Sequence, residues 1–99
     1  MRRDDVGACV VRERRVEAAF TSAVKAKGGW ALKLLPSVSG LPDRLVLLPG
    51  GHVLFVELKS PTGTVEPHQT VVHRRLRGLG FTVLVLGNLE AVAQWADST

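Results

Sequence analysis

The sequence predicts an α/β fold, a mixed sheet flanked by helices, with its elements in the order αβββαβα. Three observations carry this. A charged segment with an apolar stripe at helical spacing precedes three short apolar runs. The second and third runs are joined by Pro-Gly-Gly, a hairpin signal. An amphipathic segment then separates "HVLFVELK" from "FTVLVL", as in a right-handed crossover between parallel strands.

The first helix is expected over residues 11–27, where Val16, Phe20, Ala23, Val24 and Lys27 fall on one stripe at i, i+4, i+7, i+8 and i+11. Gly28-Gly29 ends it. "WALKLL", 30–35, reads as a strand and "PSVSGLP" as a loop. "DRLVLL", 43–48, and "HVLFVELK", 52–59, form the hairpin, and "SPTGTVE" is a second loop. Pro67 suits the first turn of a second helix running to about Arg77, with Glu66 or Thr64 as its cap. "FTVLVL", 81–86, is a continuous apolar run bounded by glycines, which predicts a strand buried on both faces. Asn88 caps a short last helix to about Ala96, with Leu89, Val92, Ala93 and Ala96 as its apolar side.

The 99 residues suffice for a single domain over 1–99, and a hydrophobic content of 45% excludes disorder. No apolar run approaches the roughly 20 residues that cross a bilayer, and the N-terminus has no signal-peptide core. The expectation is a soluble, intracellular protein. Cys9 is the single cysteine, so an internal disulfide is excluded and a plain structural or surface role is expected. Thirteen basic residues, nine of them Arg, face nine acids, for a net charge of +4. That balance fits a polyanionic partner, nucleic acid first, or simply a basic solvated surface.

The hairpin carries charge where an oily element should not. A turn centred near Gly50 pairs residues whose numbers sum to about 100, which sets Asp43 across from Glu57. Opposed side chains on paired strands lie about 5 Å apart at Cβ, and like charges there repel. Lys59, two residues beyond Glu57, points to the same face. Three explanations fit: a solvated strand end, an ion pair of Lys59 with one acid, or a divalent cation held between the carboxylates. Mg²⁺ and Mn²⁺ take one or two carboxylates with water and phosphate. The backbone carbonyl of Leu58 could add an oxygen, and Lys59 would lie beside a metal-bound water and a phosphate. Two further polar residues favour the cation. Glu17 lies at the border of the first helix's stripe, where it can reach over a sheet edge, with Glu13 one turn earlier as the substitute. Gln69 flanks the apolar face of the second helix that carries Val72, His73 and Leu76.

Taken together, "GLPD" (40–43), "VELK" (56–59) after a Pro-Gly-Gly turn, and "HQ" (68–69) resemble the VRR-NUC nucleases, the virus-type replication-repair branch of the PD-(D/E)XK superfamily. "GGW" and Lys33 upstream and "GLGFTVLVL" downstream extend the likeness over residues 13–96. The resemblance implies a restriction-endonuclease-like core and a Mg²⁺- or Mn²⁺-dependent phosphodiesterase acting on DNA. It implies that Asp43 and Glu57 hold the metal and that Lys59 orients or activates the attacking water. Glu17 matches the family's first-helix acid, a ligand directly or through water, and Gln69 its helix glutamine near the active site. Small members of this kind look like self-assembling, junction-cleaving enzymes. Branched DNA of the Holliday-junction type is therefore the implied substrate, a homodimer the implied assembly, and a bacterial or phage-infected cell the implied setting.

Arg44, Lys33, Arg74, Arg75 and Arg77 are the candidate phosphate contacts, joined by Arg12, Arg14, Arg15, Lys25 and Lys27. His52, His68 and His73 lack metal-ligand spacing, and His68 is read as a surface residue. Trp30 and Trp95 are read as core or interface residues, since an aromatic content of 5% argues against a base-stacking platform. Two other readings stand beside the endonuclease: a DNA-binding or assembly module of the same fold that needs partners to cut, and a restriction subunit, for which no recognition extension is visible.

Overall fold

A computed structural model describes residues 3–35, 37–59 and 64–98. Helix α1 (Arg3–Ala26) is followed by strands β1 (Trp30–Lys33), β2 (Arg44–Leu48) and β3 (His52–Leu58). Helix α2 (Pro67–Gly78), strand β4 (Thr82–Leu86) and helix α3 (Leu89–Asp97) complete the chain. The sheet order is β1-β2-β3-β4, with β1, β2 and β3 antiparallel and β4 parallel to β3. The αβββαβα order and the mixed sheet agree with expectation. Among the described residues no helix is long and apolar enough to cross a membrane.

Side chains alternate across a strand, so the sheet has two distinct faces. One carries Val46, Val56 and Leu86, which pack with Val16, Phe20 and Val24 of α1 and Val92 of α3 into the buried core. The other presents Glu57 to α2, whose His73 is buried. Phe20 and Trp95 meet with ring centroids 5.2 Å apart, so Trp95 lies against the core as expected. Trp30, by contrast, is 64% exposed.

Four boundaries or faces differ from the sequence reading. Helix α1 begins at Arg3 rather than residue 11. Between Arg3 and Arg12 the sequence has no proline and a single glycine, so nothing stops the helix where its apolar stripe begins. Strand β1 ends at Lys33 rather than at residue 35: Lys33–Arg44 is its last paired rung, and beyond it one ladder bond, Leu34 N–H to the Asp43 carbonyl, carries on to the start of the loop. β4 is an edge strand, not one buried on both faces: among the described residues only β3 pairs with it, and Val85 and the preceding Phe81 are 38% and 41% exposed. In α3 the packed side is Ala91, Val92 and Trp95, while Leu89 is about half exposed and Ala93 faces solvent. The helix approaches the core one position out of phase with its apolar spacing because Trp95, the largest side chain, takes the contact with Phe20.

Candidate active site

The hairpin sets the site. Arg44 pairs with Val56 and Leu48 with His52, so every rung sums to 100 and the next step outward brings Asp43 across from Glu57. Gly50 and Gly51 close the turn at φ +85° and +77°, a left-handed bend that glycine adopts without a Cβ penalty. Asp43 is held from both sides. Its carbonyl accepts from Leu34 N–H at 2.8 Å, and its Oδ2 accepts from Leu58 N–H at 3.2 Å. The loop before it is pressed onto α2 at Gly40, whose φ is +94°. A Cβ there would stand 2.6 Å from the His68 carbonyl oxygen, so this approach requires glycine.

Glu57 is 2% exposed. Burial, then hydrogen bonding to Asp43 and the charge of that carboxylate, push its carboxyl up to about 7, against a smaller opposing pull from Lys59. The repulsion read from the sequence is thus present in the fold. Lys59 Nζ lies 3.9 Å from Glu57 Oε1 and donates to Gln69 Oε1 at 3.0 Å. Gln69 also accepts from Glu66 N–H at 2.9 Å and donates through Nε2 to Glu57 Oε2 at 3.1 Å. One side chain therefore caps the start of α2, holds the lysine and steers the buried acid. A carboxylate could accept both bonds but could not supply the third. Of the two caps weighed, Glu66 occupies the position.

His73 is the residue that sequence reasoning missed. It sits one helical turn after Gln69, is buried, and places Nε2 3.8 Å from Glu57 Oε2. Burial, with the charges of Arg77 and Lys59, holds its imidazole below the usual range. The signal available was its position four residues after Gln69 on the apolar face of α2, where both side chains overlook the same strand.

Glu17 reaches the site from the opposite face. Directly paired residues share a face, so Arg44 lies on the α1 side with Val56. There Arg44 Nη2 donates to Glu17 Oε1, and Nη1 donates to the Asp43 carbonyl at 3.4 Å. Glu17, Lys33, Asp43, Arg44, Leu58 and Lys59 line one cavity of about 230 Å³. The hairpin register brings Asp43 and Glu57 together; of the pair Asp43 lines this cavity and Glu57 does not, while Glu17 borders it bound to an arginine. Among the described residues no three His, Cys, Asp or Glu side chains form a metal-holding group. The pair still suits a divalent cation: two carboxylates are forced together at the cost of one pKa. The N–H and C=O of one strand residue point to the same side, so the Leu58 carbonyl turns toward Asp43 as its N–H does.

The basic candidates divide. Lys33 is exposed and lines the cavity, and Arg74 and Arg75 are exposed on α2. The Arg44 side chain is 10% exposed and its charge is engaged by Glu17, so it is no free surface cation. Arg77 Nη2 is tied to the Val83 carbonyl at 2.8 Å. Lys27 lies 5.0 Å over the Trp95 ring and donates to the Ser98 carbonyl. His68 is exposed, in keeping with its reading as a surface residue, and His52 is exposed as well. The side chains of Cys9, Arg12 and Glu13 lie outside the described residues.

No protein-family model matches the sequence. The chain is 44% identical over 78 residues to "Putative nuclease p44" of Acyrthosiphon pisum secondary endosymbiont phage 1, a match covering 78% of this chain and 84% of that protein. A solved structure described as a "VRR_NUC domain" superposes with a TM-score of 0.77 at 38% identity, over 84% of this chain and 91% of the other.

Proposed function

The chain belongs to the VRR-NUC nuclease family, and we propose that it is a Mg²⁺- or Mn²⁺-dependent DNA endonuclease. The observation that carries this is the buried Glu57 set against Asp43, with Lys59 held beside them by Gln69. A merely binding surface gains nothing from two opposed acids at a strand end. Asp43, Glu57 and the Leu58 carbonyl would hold the cation, which when bound stabilises charge on phosphate oxygens and makes water a better nucleophile. The ammonium of Lys59 has three donor positions and spends one on Gln69. The other two can hold a water or a phosphate oxygen at the mouth of the cavity. Gln69 fixes Glu57 and Lys59 with one amide and so sets their spacing. Lys33 at the rim, with exposed Arg74 and Arg75, supplies phosphate contacts. Glu17 acts from the far side of the cavity, through Arg44 or a bridging water.

Branched, Holliday-junction-like DNA is the substrate class we assign, acted on by a homodimer inside the cell. Two active sites related by a two-fold axis can cut opposing strands, and a second copy would cover the open edge of β4 with its exposed Val85 and Phe81. The test is cleavage of linear duplex, single-strand, flap and four-way-junction DNA with Mn²⁺, with EDTA, and with Glu57→Ala. Cutting is expected with Mn²⁺ alone and fastest on the junction. Equal cutting by Glu57→Ala would sink the assigned mechanism, and binding without cutting of any substrate would favour the non-cleaving module.

A further inference from the structure

His73 Nε2 is buried with no hydrogen-bond partner among the described residues. Burying a polar nitrogen in this state is unfavourable, a cost that leucine or methionine would not carry in the same place. The atom is not aimed at random. It stands 3.8 Å from Glu57 Oε2, the oxygen that already accepts from Gln69 Nε2 at 3.1 Å. The gap exceeds hydrogen-bonding distance by less than an ångström, within reach of a small turn of either side chain. Gln69 and His73 lie one turn apart on α2, so both donors approach Glu57 from the same wall. Glu57 Oε1 faces the other way, toward Lys59 at 3.9 Å.

We propose that His73 is a positioning residue for Glu57: in the cation-loaded site its Nε2–H closes on Oε2 and, with Gln69, locks that oxygen to α2 so that Oε1 is left to the cation. The proposal rests on the reading that Asp43 and Glu57 hold a divalent metal. It also gives a role to a ring nitrogen that otherwise stands buried and unpaired between helix and sheet among the described residues. Ligating carboxylates are in turn hydrogen-bonded, and loss of such an outer partner typically costs about 10–100-fold in metal affinity or activity.

The experiment compares wild type, His73→Leu and His73→Gln. The leucine fills the space without a donor, and the glutamine returns an N–H near the position of Nε2. Metal-free thermal unfolding establishes folding, and His73→Leu is expected to melt at or above the wild-type temperature because an unpaired buried nitrogen is removed. Mn²⁺ affinity is then measured by calorimetry without DNA. A loss of about 10-fold or more is expected for His73→Leu, with most of it regained by His73→Gln. On cleavable DNA the leucine variant is expected to need more Mn²⁺ for half-maximal rate, with KM for DNA unchanged. Should the leucine variant fail to fold, His73→Met serves the same comparison. Wild type that binds no Mn²⁺ would overturn the metal reading and this proposal together. Wild type that binds it while the folded leucine or methionine variant binds equally tightly would overturn the role of His73 alone.

Discussion

Glu57→Gln tests the cost of burying this acid, and of burying it against Asp43, since it keeps the shape of the side chain and removes its charge. The carboxyl of Glu57 moves from 4.5 to about 7 on folding. A carboxyl whose folded pKa lies above its unfolded value stabilises the protein fully below the unfolded value. That contribution is lost as the pH rises through the folded one. Metal-free protein should therefore lose stability between about pH 4.5 and pH 7. At 1.36 kcal/mol per pH unit the loss amounts to about 3 kcal/mol above pH 7. Glutamine is neutral throughout, and its amide can accept from Gln69 and donate to Asp43. At pH 8 in EDTA the variant should be more stable than wild type by up to about 3 kcal/mol, up to about 12–24 °C in Tm for a domain of this size. At pH 4.5 the difference should nearly vanish, because wild-type Glu57 is then protonated as well. Urea unfolding at the two pH values measures both numbers. A variant that is equally or less stable at pH 8, or a gap that does not change with pH, would refute the claim that a carboxylate buried here against Asp43 strains the site. The same variant should be inactive on DNA, so stability and activity would move in opposite directions.

Gly40→Ala forces a Cβ to within 2.6 Å of the His68 carbonyl at a positive φ. It should cost on the order of 2 kcal/mol by thermal unfolding and lower cleavage further by moving the loop that delivers Asp43. Gln69→Glu keeps both accepted bonds but replaces the donor to Glu57 with a third carboxylate. Loss of cleavage at pH 8 is expected to exceed loss of stability, read from kcat beside Tm. Glu17→Ala leaves the mostly buried Arg44 guanidinium with the Asp43 carbonyl as its remaining partner among the described residues. Stability should fall by about 1–3 kcal/mol in urea. Mn²⁺ affinity by calorimetry should fall less than with Asp43→Asn, because Glu17 is engaged by Arg44.

The parts of the site that could be read from the sequence are those set by local geometry. Pro-Gly-Gly fixes a turn, the turn fixes a register, and the register places Asp43 against Glu57 with no knowledge of the rest of the chain. Lys59 follows from strand alternation, and Gln69 from its place on the apolar side of α2. What escaped reading depends on packing between elements. Sequence spacing does not reveal that Arg44 turns toward α1 and takes Glu17, because that contact joins residues 27 apart across a face of the sheet. Nor does it reveal that the nitrogen of His73 lacks a partner among the described residues, since an amphipathic helix tolerates histidine at its border for many reasons. The edge position of β4 was hidden for a related cause. A parallel strand backed by helices reads as oily whether or not a further strand lies beyond it.

The capping bond of Gln69 has a thermodynamic corollary. The amide that closes the first turn of α2 also touches Glu57 and Lys59, so fraying of that turn and disassembly of the site are one event. Linkage makes such coupling reciprocal. Whatever binds between Asp43 and Glu57 must slow exchange of the amide protons at the start of α2, and whatever loosens that turn must weaken binding by the same factor. A nuclease of this construction carries a reporter of its own loading in the backbone of a helix that holds none of the acids.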